Sequence, residues 1–219
     1  MFDTIILLTS NLERSIFASV LSAHNPDLTI LSVETPADLN ALDRDTLARA
    51  RLIAYATDVV VPPSVLDQLG YGAYNFHPGP PAFPGWAPAH FALYARATQF
   101  GATAHVMIDR VDAGPIVGVE MFSIPPGSSV ASLEGMAYAR ISYLFWTMAN
   151  RLATDGQPLP ALPLQWSGTK GTRRDYAALC DVPLDIHPDE LDHRIEVFGE
   201  DPNFGSRCTF VEMVAAEAV

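Results

Sequence analysis

The N-terminal run Thr4-Ile5-Ile6-Leu7-Leu8 and the polar pair Ser10-Asn11 behind it set the fold class. The five residues are an apolar run with β-branched content, which is typical of a short buried strand. Either member of the polar pair can cap a helix. Apolar residues then recur at helical spacing, at Leu12, Ile16, Phe17, Val20 and Leu21. A strand followed directly by an amphipathic helix predicts the first unit of an α/β sheet.

The strand and helix pattern repeats downstream. An apolar, strand-like run covers 28–33, a helical pattern covers 37–50, and another apolar run follows at 52–56. A short helix is predicted at 63–69, because proline is favoured in a first helical turn, and 73–77 is the next predicted strand. Strands that alternate with helices predict a mostly parallel, twisted sheet with helices on both faces.

A proline-rich loop interrupts this alternation at residues 78–88, where five of the eleven residues are proline. Proline at this density excludes regular structure. A shaped loop directly after a strand is where an open α/β sheet presents its ligand site. The elements predicted beyond the loop are a helix at about 88–97, strands at 102–108 and 116–124, and a long helix at about 128–154.

A turn-rich break at Asp155-Gly156-Gln157-Pro158 predicts a domain boundary. We therefore divide the chain into a main domain at 1–155 and a small C-terminal α+β annex at 156–219. Within the annex, the sequence predicts a strand at Leu162–Trp166, a helix at Pro188–Phe198 and a strand at Cys208–Val214.

Composition and charge limit the classes of function. The chain has 219 residues, of which 49% are hydrophobic and 17% charged, and this excludes intrinsic disorder. No run approaches the ~20 apolar residues of a membrane-spanning helix, and the N-terminus lacks a signal-peptide pattern. We therefore expect a cytoplasmic protein with no membrane partner. The formal net charge of −12 argues against a nucleic-acid partner. Two cysteines without metal-ligand spacing predict neither a disulfide framework nor a metal site.

Three polar residues have the chemistry of a catalytic site. Asn75 and His77 are two apart on a predicted strand, so their side chains face the same way at its carboxyl end. An asparagine amide can donate to a developing oxyanion, and a histidine can exchange a proton near neutral pH. Asp112 lies in a Val-Asp-Ala-Gly turn between two predicted strands. From there it can orient the imidazole or raise the pKa of that ring by ion pairing.

Three motifs together resemble the folate-dependent formyltransferases, the family of the glycinamide ribonucleotide, methionyl-tRNA and nucleotide-sugar formyltransferases. They are Asn75-Phe76-His77-Pro78, Gly101-Ala102-Thr103-Ala104-His105 and Val111-Asp112-Ala113-Gly114-Pro115-Ile116. The resemblance covers residues 52–125 well and the rest in outline. It implies a Rossmann-like sheet, 10-formyltetrahydrofolate as formyl donor and a primary amine as acceptor.

The resemblance also implies residue roles. Asn75 would stabilise the oxyanion, His77 would assist proton removal and polarise the formyl oxygen, and Asp112 would support His77. His105 matches the second histidine of the family, but a histidine on a central strand is equally often a structural residue. The segment Thr57 to Leu69 and the turn Ile108 to Val111 would line the pterin pocket. The cofactor-binding residues would be Val59, Val60, Val61, Ile108, Asp109 and Val111.

Departures from the family pattern reduce the number of acceptor classes that the sequence allows. The segment after the first strand, Leu8-Thr9-Ser10-Asn11-Leu12, lacks the glycines that close a backbone around phosphate, which argues against a phosphoribosyl acceptor. The short C-terminal region indicates a compact form without a tRNA-binding domain. We expect Trp86 in the proline-rich loop to form a stacking wall for the acceptor, with a core position as the alternative. Arg173 and Arg174 are candidate contacts to an acceptor phosphate or carboxylate.

The sequence thus predicts an N-formyltransferase that acts on a small-molecule amine, with a nucleotide-linked amino sugar or an amino-acid derivative as candidate acceptors. A formyltetrahydrofolate hydrolase is the first alternative, and a non-catalytic folate-binding or regulatory module is the second. A homodimer formed through the annex is a further hypothesis, since exposed short strands can pair.

Overall fold

The computed structural model describes residues 1–205, which form a six-stranded sheet in the order β2-β1-β3-β4-β5-β6. The strands are β1 (Thr4–Leu8), β2 (Thr29–Val33), β3 (Ala50–Tyr55), β4 (Ala73–His77), β5 (Gln99–Val106) and β6 (Ile116–Ser123). The strands β1 to β4 pair in parallel, whereas β5 and β6 pair antiparallel. The predicted mostly parallel α/β sheet is confirmed, and its strand direction changes between β4 and β5.

Eight helices flank the strands within these residues. They are α1 (Asn11–His24), α2 (Pro36–Asn40), α3 (Arg44–Arg49), α4 (Pro63–Leu66), α5 (Pro88–Tyr94), α6 (Val130–Thr154), α7 (Arg173–Cys180) and α8 (Pro188–Phe198). The single helix predicted at 37–50 is wrong, because two short helices occupy that region. Asp43 causes the break, since its side chain accepts the Thr46 backbone N–H and caps α3.

Hydrophobic clusters cover both faces of the sheet. On one face, α1 and α6 pack against the strands through the aromatic rings of Phe17, Tyr55, Phe76 and Phe145. On the other face, α2, α3 and α4 contribute Leu39, Leu47 and Val65 to a second buried cluster. Helices therefore lie on both faces, as the alternating pattern predicts.

Arg51 on β3 is fully buried and ties the end of α6 to the sheet. Its guanidinium donates to the carbonyls of Tyr71, Leu152 and Gln157 at 3.2, 2.7 and 3.1 Å. Burial lowers the pKa of this guanidinium. A buried cation needs such acceptors, so Arg51 fixes the course of the chain where α6 ends.

The C-terminal region differs in part from the expected annex. The strand predicted at Leu162–Trp166 is wrong, because these residues form irregular chain in which Leu162 N–H donates to the Ile116 carbonyl at 2.7 Å. Pro163 lies inside this run and removes a backbone donor that a strand ladder needs. The helix predicted at 188–198 is α8, whereas the strand predicted at 208–214 lies outside the described residues. Within 1–205, no helix is both long and apolar enough to cross a membrane.

Candidate active site

The register of β4 and β5 builds one polar face. Asn75 lies directly opposite His105, and His77 lies directly opposite Thr103. Because side chains alternate along a strand and opposed residues share a face, these four side chains lie on the same side of the sheet. The alternating Tyr74 and Phe76 belong to the core cluster on the other side. The period-two pattern predicted for Asn75 and His77 is confirmed by the strand.

Asp112 completes the cluster from the turn between β5 and β6. Its Oδ1 lies 3.1 Å from His105 Nε2 and 3.4 Å from Asn75 Nδ2. Its Oδ2 lies 3.4 Å from His77 Nδ1 and accepts the Gly85 backbone N–H at 2.8 Å. Asp112 also has a left-handed backbone with φ 48°, a strained conformation that clusters at functional sites. The structure thus brings together all three predicted catalytic residues and adds His105.

Burial and hydrogen bonding set the charge state of the cluster. The pKa of Asp112 falls to about 2, because the contacts with His77, His105 and the Gly85 N–H outweigh the opposing effect of burial. The pKa of His77 is lowered, mainly by burial, although the Asp112 carboxylate and the Phe83 carbonyl oppose the shift. The site therefore holds an ionised carboxylate beside a largely neutral imidazole at neutral pH.

The members of the cluster differ in exposure. His77 is 5% exposed, His105 2% and Asp112 5%, whereas Asn75 is half-buried. The Asn75 amide nitrogen lies 3.2 Å from His105 Nε2, so the second histidine holds this side chain. Asn75 is therefore the member best placed to touch a ligand, with the two histidines and Asp112 behind it.

The proline-rich loop 78–88 closes over His77. The Phe83 carbonyl faces His77 Nε2 at 3.1 Å, and Thr103 Oγ1 donates to the Gly79 carbonyl at 2.8 Å. A Cβ on Gly79 would lie 2.6 Å from His77 Nε2, so only glycine leaves room for the imidazole. The loop is thus fitted to the histidine, which the sequence predicted only as a shaped connection after the strand.

The residues predicted to bind folate lie on two irregular segments. Val60 is 62% exposed and Val111 40% exposed, so both side chains are open to a ligand. Val61 packs into the second core cluster and is 4% exposed, which leaves its backbone as the part that can reach a pocket. Ile108 is half-buried and Asp109 is exposed. Their role in folate binding stays a prediction, as do the roles of the catalytic residues.

Two of the three predicted acceptor residues lie together. The Arg173 guanidinium lies 4.1 Å from the centre of the Trp86 ring, and its Nη2 donates to Asp58 Oδ2 at 2.8 Å. Trp86 is 37% exposed, which favours a surface wall over a core position. Arg174, the next residue along α7, is also exposed. Asp58, which the sequence did not single out, links α7 to the segment predicted to bind folate.

Sequence reasoning also missed Trp166. This half-buried side chain contacts the rings of both His77 and His105, with centroid separations of 5.8 and 5.0 Å. One signal could have drawn attention to it, namely an aromatic residue directly before the polar, turn-rich stretch Ser167-Gly168-Thr169-Lys170. The alternation of strands gives no such signal, because Trp166 lies on neither a strand nor a helix.

Comparison with known proteins adds to this geometry. A family model described as formyl transferase matches residues 42–139, a range that includes Asn75, His77, His105 and Asp112. Part of the chain is similar to the methionyl-tRNA formyltransferase of Listeria welshimeri, with 30% identity over 105 residues. That match covers 46% of this chain and 32% of the relative. The chain spans less than half the length of such curated relatives.

Solved structures share the fold over nearly the whole chain. A sugar N-formyltransferase from Shewanella sp. FDAARGOS_354 superposes with a TM-score of 0.70 and 16% identity, over 89% of this chain and 87% of that chain. A formyltransferase from Anoxybacillus kamchatkensis was solved in complex with UDP-4,6-dideoxy-4-formamido-L-AltNAc and tetrahydrofolate. It superposes with a TM-score of 0.64 and 18% identity, over 86% of this chain and 97% of that chain.

The sheet order, the family-model match and these superpositions define a formyl transferase fold, with the Rossmann-like sheet that the motifs imply. The polar cluster lies within the matched region, on the strands where the sheet changes direction. The family-model match, the curated relatives and the shared fold support a relationship of this chain to the folate-dependent formyltransferases.

Proposed function

We propose that this protein is an N-formyltransferase that moves a formyl group from 10-formyltetrahydrofolate to the primary amine of a small molecule. The cluster of Asn75, His77, His105 and Asp112 carries the proposal, because it joins an accessible amide to a buried imidazole and an ionised carboxylate. The cluster lies at the carboxyl end of β4, and open α/β sheets bind ligands in the crevice outside the carboxyl ends of their strands.

Formyl transfer needs a donor to the oxygen on which negative charge develops and a group that takes a proton from the amine. Asn75 is the accessible amide and donates to that oxygen. His77 is largely neutral because burial lowers its pKa, so its ring can take a proton, and ionised Asp112 stabilises the charge that then appears. The amine nitrogen bonds to the formyl carbon while the bond from that carbon to N10 breaks, and the proton lost by the amine ends on N10.

The donor supplies the formyl group, and two segments of this chain fit its flat heteroaromatic ring. Val60 and Val111 present exposed apolar side chains. Val59 and Met107, one from each region, both pack against the second core cluster, to which Val61 belongs. Apolar walls with nearby backbone donors and acceptors suit a pterin. In the related Anoxybacillus enzyme, tetrahydrofolate is bound together with a formylated sugar nucleotide.

A nucleotide-linked amino sugar is the acceptor class that the site favours. Trp86 offers an aromatic face, and Arg173 lies over it with its guanidinium held by Asp58. An aromatic face stacks on a base or a sugar ring, and a guanidinium binds phosphate through paired hydrogen bonds. Arg174 is exposed beside Arg173 and can add a second cation.

Absorbance-monitored turnover of 10-formyltetrahydrofolate tests the function, with and without a panel of nucleotide amino sugars and amino-acid derivatives. We expect tetrahydrofolate to form only when an amine is present. Formate release without an amine would support the hydrolase alternative instead. Folate binding without turnover on any amine would support the non-catalytic module.

Variants test the acceptor site within the same assay. Trp86→Ala and the double change Arg173→Ala with Arg174→Ala should each raise the acceptor KM and leave the folate KM unchanged. Arg96→Ala, an exposed arginine just beyond α5, is the matched control and should leave both constants unchanged. An unaltered acceptor KM in Trp86→Ala would contradict the proposed contact of Trp86 with the acceptor. An unaltered acceptor KM in the double variant would contradict the proposed contact of the two arginines.

A further inference from the structure

Trp166 is the one half-buried side chain in a segment whose other residues, from 161 to 170, are all exposed. Its indole Nε1–H donates to the Gly114 carbonyl at 2.8 Å. Its ring makes edge-type contacts with His77 at an interplanar angle of 69° and with His105 at 89°. Trp166, like Asp112, thus lies outside the strands and contacts both histidines of the candidate active site.

Backbone contacts hold the segment around Trp166 against the proline-rich loop. Ser167 N–H donates to the Pro81 carbonyl and Gly171 N–H to the Pro84 carbonyl, each at 2.9 Å. A Cβ on Gly168 would lie 2.3 Å from the Ala82 carbonyl oxygen. The segment around Trp166 and the proline-rich loop therefore approach each other too closely for any residue but glycine at this position. The indole is therefore fixed at its own N–H and by the backbone on its C-terminal side.

The distances from the two imidazoles to Asp112 and Asn75 leave little room for the histidine rings to rotate. His77 Nδ1 lies 3.4 Å from Asp112 Oδ2, near the outer limit of a hydrogen bond. His105 Nε2 lies 3.1 Å from Asp112 Oδ1 and 3.2 Å from Asn75 Nδ2. A histidine ring turns about its second side-chain torsion in a broad energy well, so its contacts rather than torsional preference hold it. Trp166 adds ring packing to the hydrogen bonds that His77 Nε2 and His105 Nδ1 make with the carbonyls of Phe83 and Val106, at 3.1 and 2.9 Å.

We propose that Trp166 is a positioning residue, whose anchored indole fixes the ring planes of His77 and His105 relative to Asp112 and Asn75. The effect on turnover rests on the proposed formyl transfer, whereas the effect on the imidazoles does not. Trp166 thereby links the position of the segment at 159–171 to the geometry of the catalytic cluster. It lies outside the region that the family model matches.

The test compares three variants by kinetics and by NMR. Trp166→Ala should lower kcat about 10²-fold, the scale of loss from a small misplacement of catalytic groups, while both KM values stay unchanged. Trp166→Phe keeps an aromatic ring on the histidines and should recover most of that loss. Trp146→Ala is the matched control, because Trp146 is 65% exposed on α6 and should leave kcat unchanged.

The second measurement records the ring nitrogen signals of His77 and His105 in protein with 15N-labelled histidine and no substrate. We expect Trp166→Ala to move these signals, and Trp166→Phe to stay close to wild type. Signals that match wild type in Trp166→Ala would overturn the proposal. So would an unchanged kcat with a raised acceptor KM, which would make Trp166 a substrate wall.

The two readouts separate this proposal from the proposed function. If the protein transfers no formyl group to any amine, the histidine signals still show whether Trp166 holds the rings. If Trp166→Ala does not fold, Trp166→Leu keeps apolar volume without an aromatic ring. Altered histidine signals in that variant support the proposal, and unaltered signals overturn it.

Discussion

Asp112→Asn should destabilise the protein at neutral pH by an amount set by the depressed pKa of this carboxyl. The pKa falls from 3.8 to about 2 in the folded protein, and each unit corresponds to about 1.36 kcal/mol. Asp112 is 5% exposed, so solvent screens these contacts little. The ionised carboxylate therefore contributes about 2 kcal/mol of folding free energy. Asparagine keeps the shape but removes the charge that His77 and His105 face.

The sign of the pH dependence follows from the direction of the shift. A depressed folded-state pKa gives stability that is present above the unfolded value of 3.8 and is lost as the pH falls toward about 2. The difference between wild type and Asp112→Asn should thus be largest near neutral pH and shrink in acid. Urea unfolding at several pH values, followed by tryptophan fluorescence, measures it.

Asp109→Asn is the control for this experiment, because it removes an exposed carboxylate from the same turn. We expect its effect on the free energy of unfolding to be small at every pH. Equal stability of wild type and Asp112→Asn near neutral pH would refute the reasoning. A loss of stability that stays constant down to pH ~3 would refute it as well, since the charge would then not be the cause.

Three further changes test other parts of the account. Asn75→Ala should lower kcat about 10²–10³-fold in a protein that stays folded, the usual effect of losing one oxyanion donor, while Asn150→Ala on the exposed side of α6 leaves kcat unchanged. Arg51→Leu should lower the free energy of unfolding by about 3 kcal/mol in urea titrations, because buried carbonyls lose their donor; an equally stable variant would show that these bonds contribute nothing. Gly85→Ala should reduce both stability and turnover, since its φ is 91° and a Cβ would meet a carbonyl oxygen at 2.2 Å. Gly72→Ala is the control, because Gly72 has a φ of 75° but open space around its Cβ, so this variant should lose only about 1 kcal/mol through backbone strain. An equal loss of unfolding free energy in the two glycine variants would contradict the close approach at Gly85.

Much of the fold could be predicted because the first parallel strands contain short, mainly apolar runs that alternate with helical patterns. The runs at 4–8 and 52–56 and the cap at Ser10 are local features that the structure confirms. The errors arose where local signals compete. Asp43 breaks an apparently continuous helical pattern, and Pro163 removes a donor from the apolar run at 162–166 that resembles a strand.

The site was predictable to the extent that it lies on strands. Asn75 and His77 share a face because they are two residues apart, and Asp112 belongs to a recognisable turn. The role of His105 stayed open because it depends on the register between β4 and β5, which no local pattern gives. Trp166 was missed because its contacts with the histidines cross about 60 to 90 positions of the chain and depend on how irregular segments pack.

Transfer of a labelled formyl group tests the central claim most directly. The protein is incubated with 10-formyltetrahydrofolate carrying 13C in the formyl group and with a nucleotide-linked amino sugar, and the products are separated and examined by mass spectrometry and 13C NMR. We predict that the label appears as a formamide on the sugar nitrogen, and that Asn75→Ala nearly abolishes this product. Label found only in formate, or an undiminished product in Asn75→Ala, would contradict it.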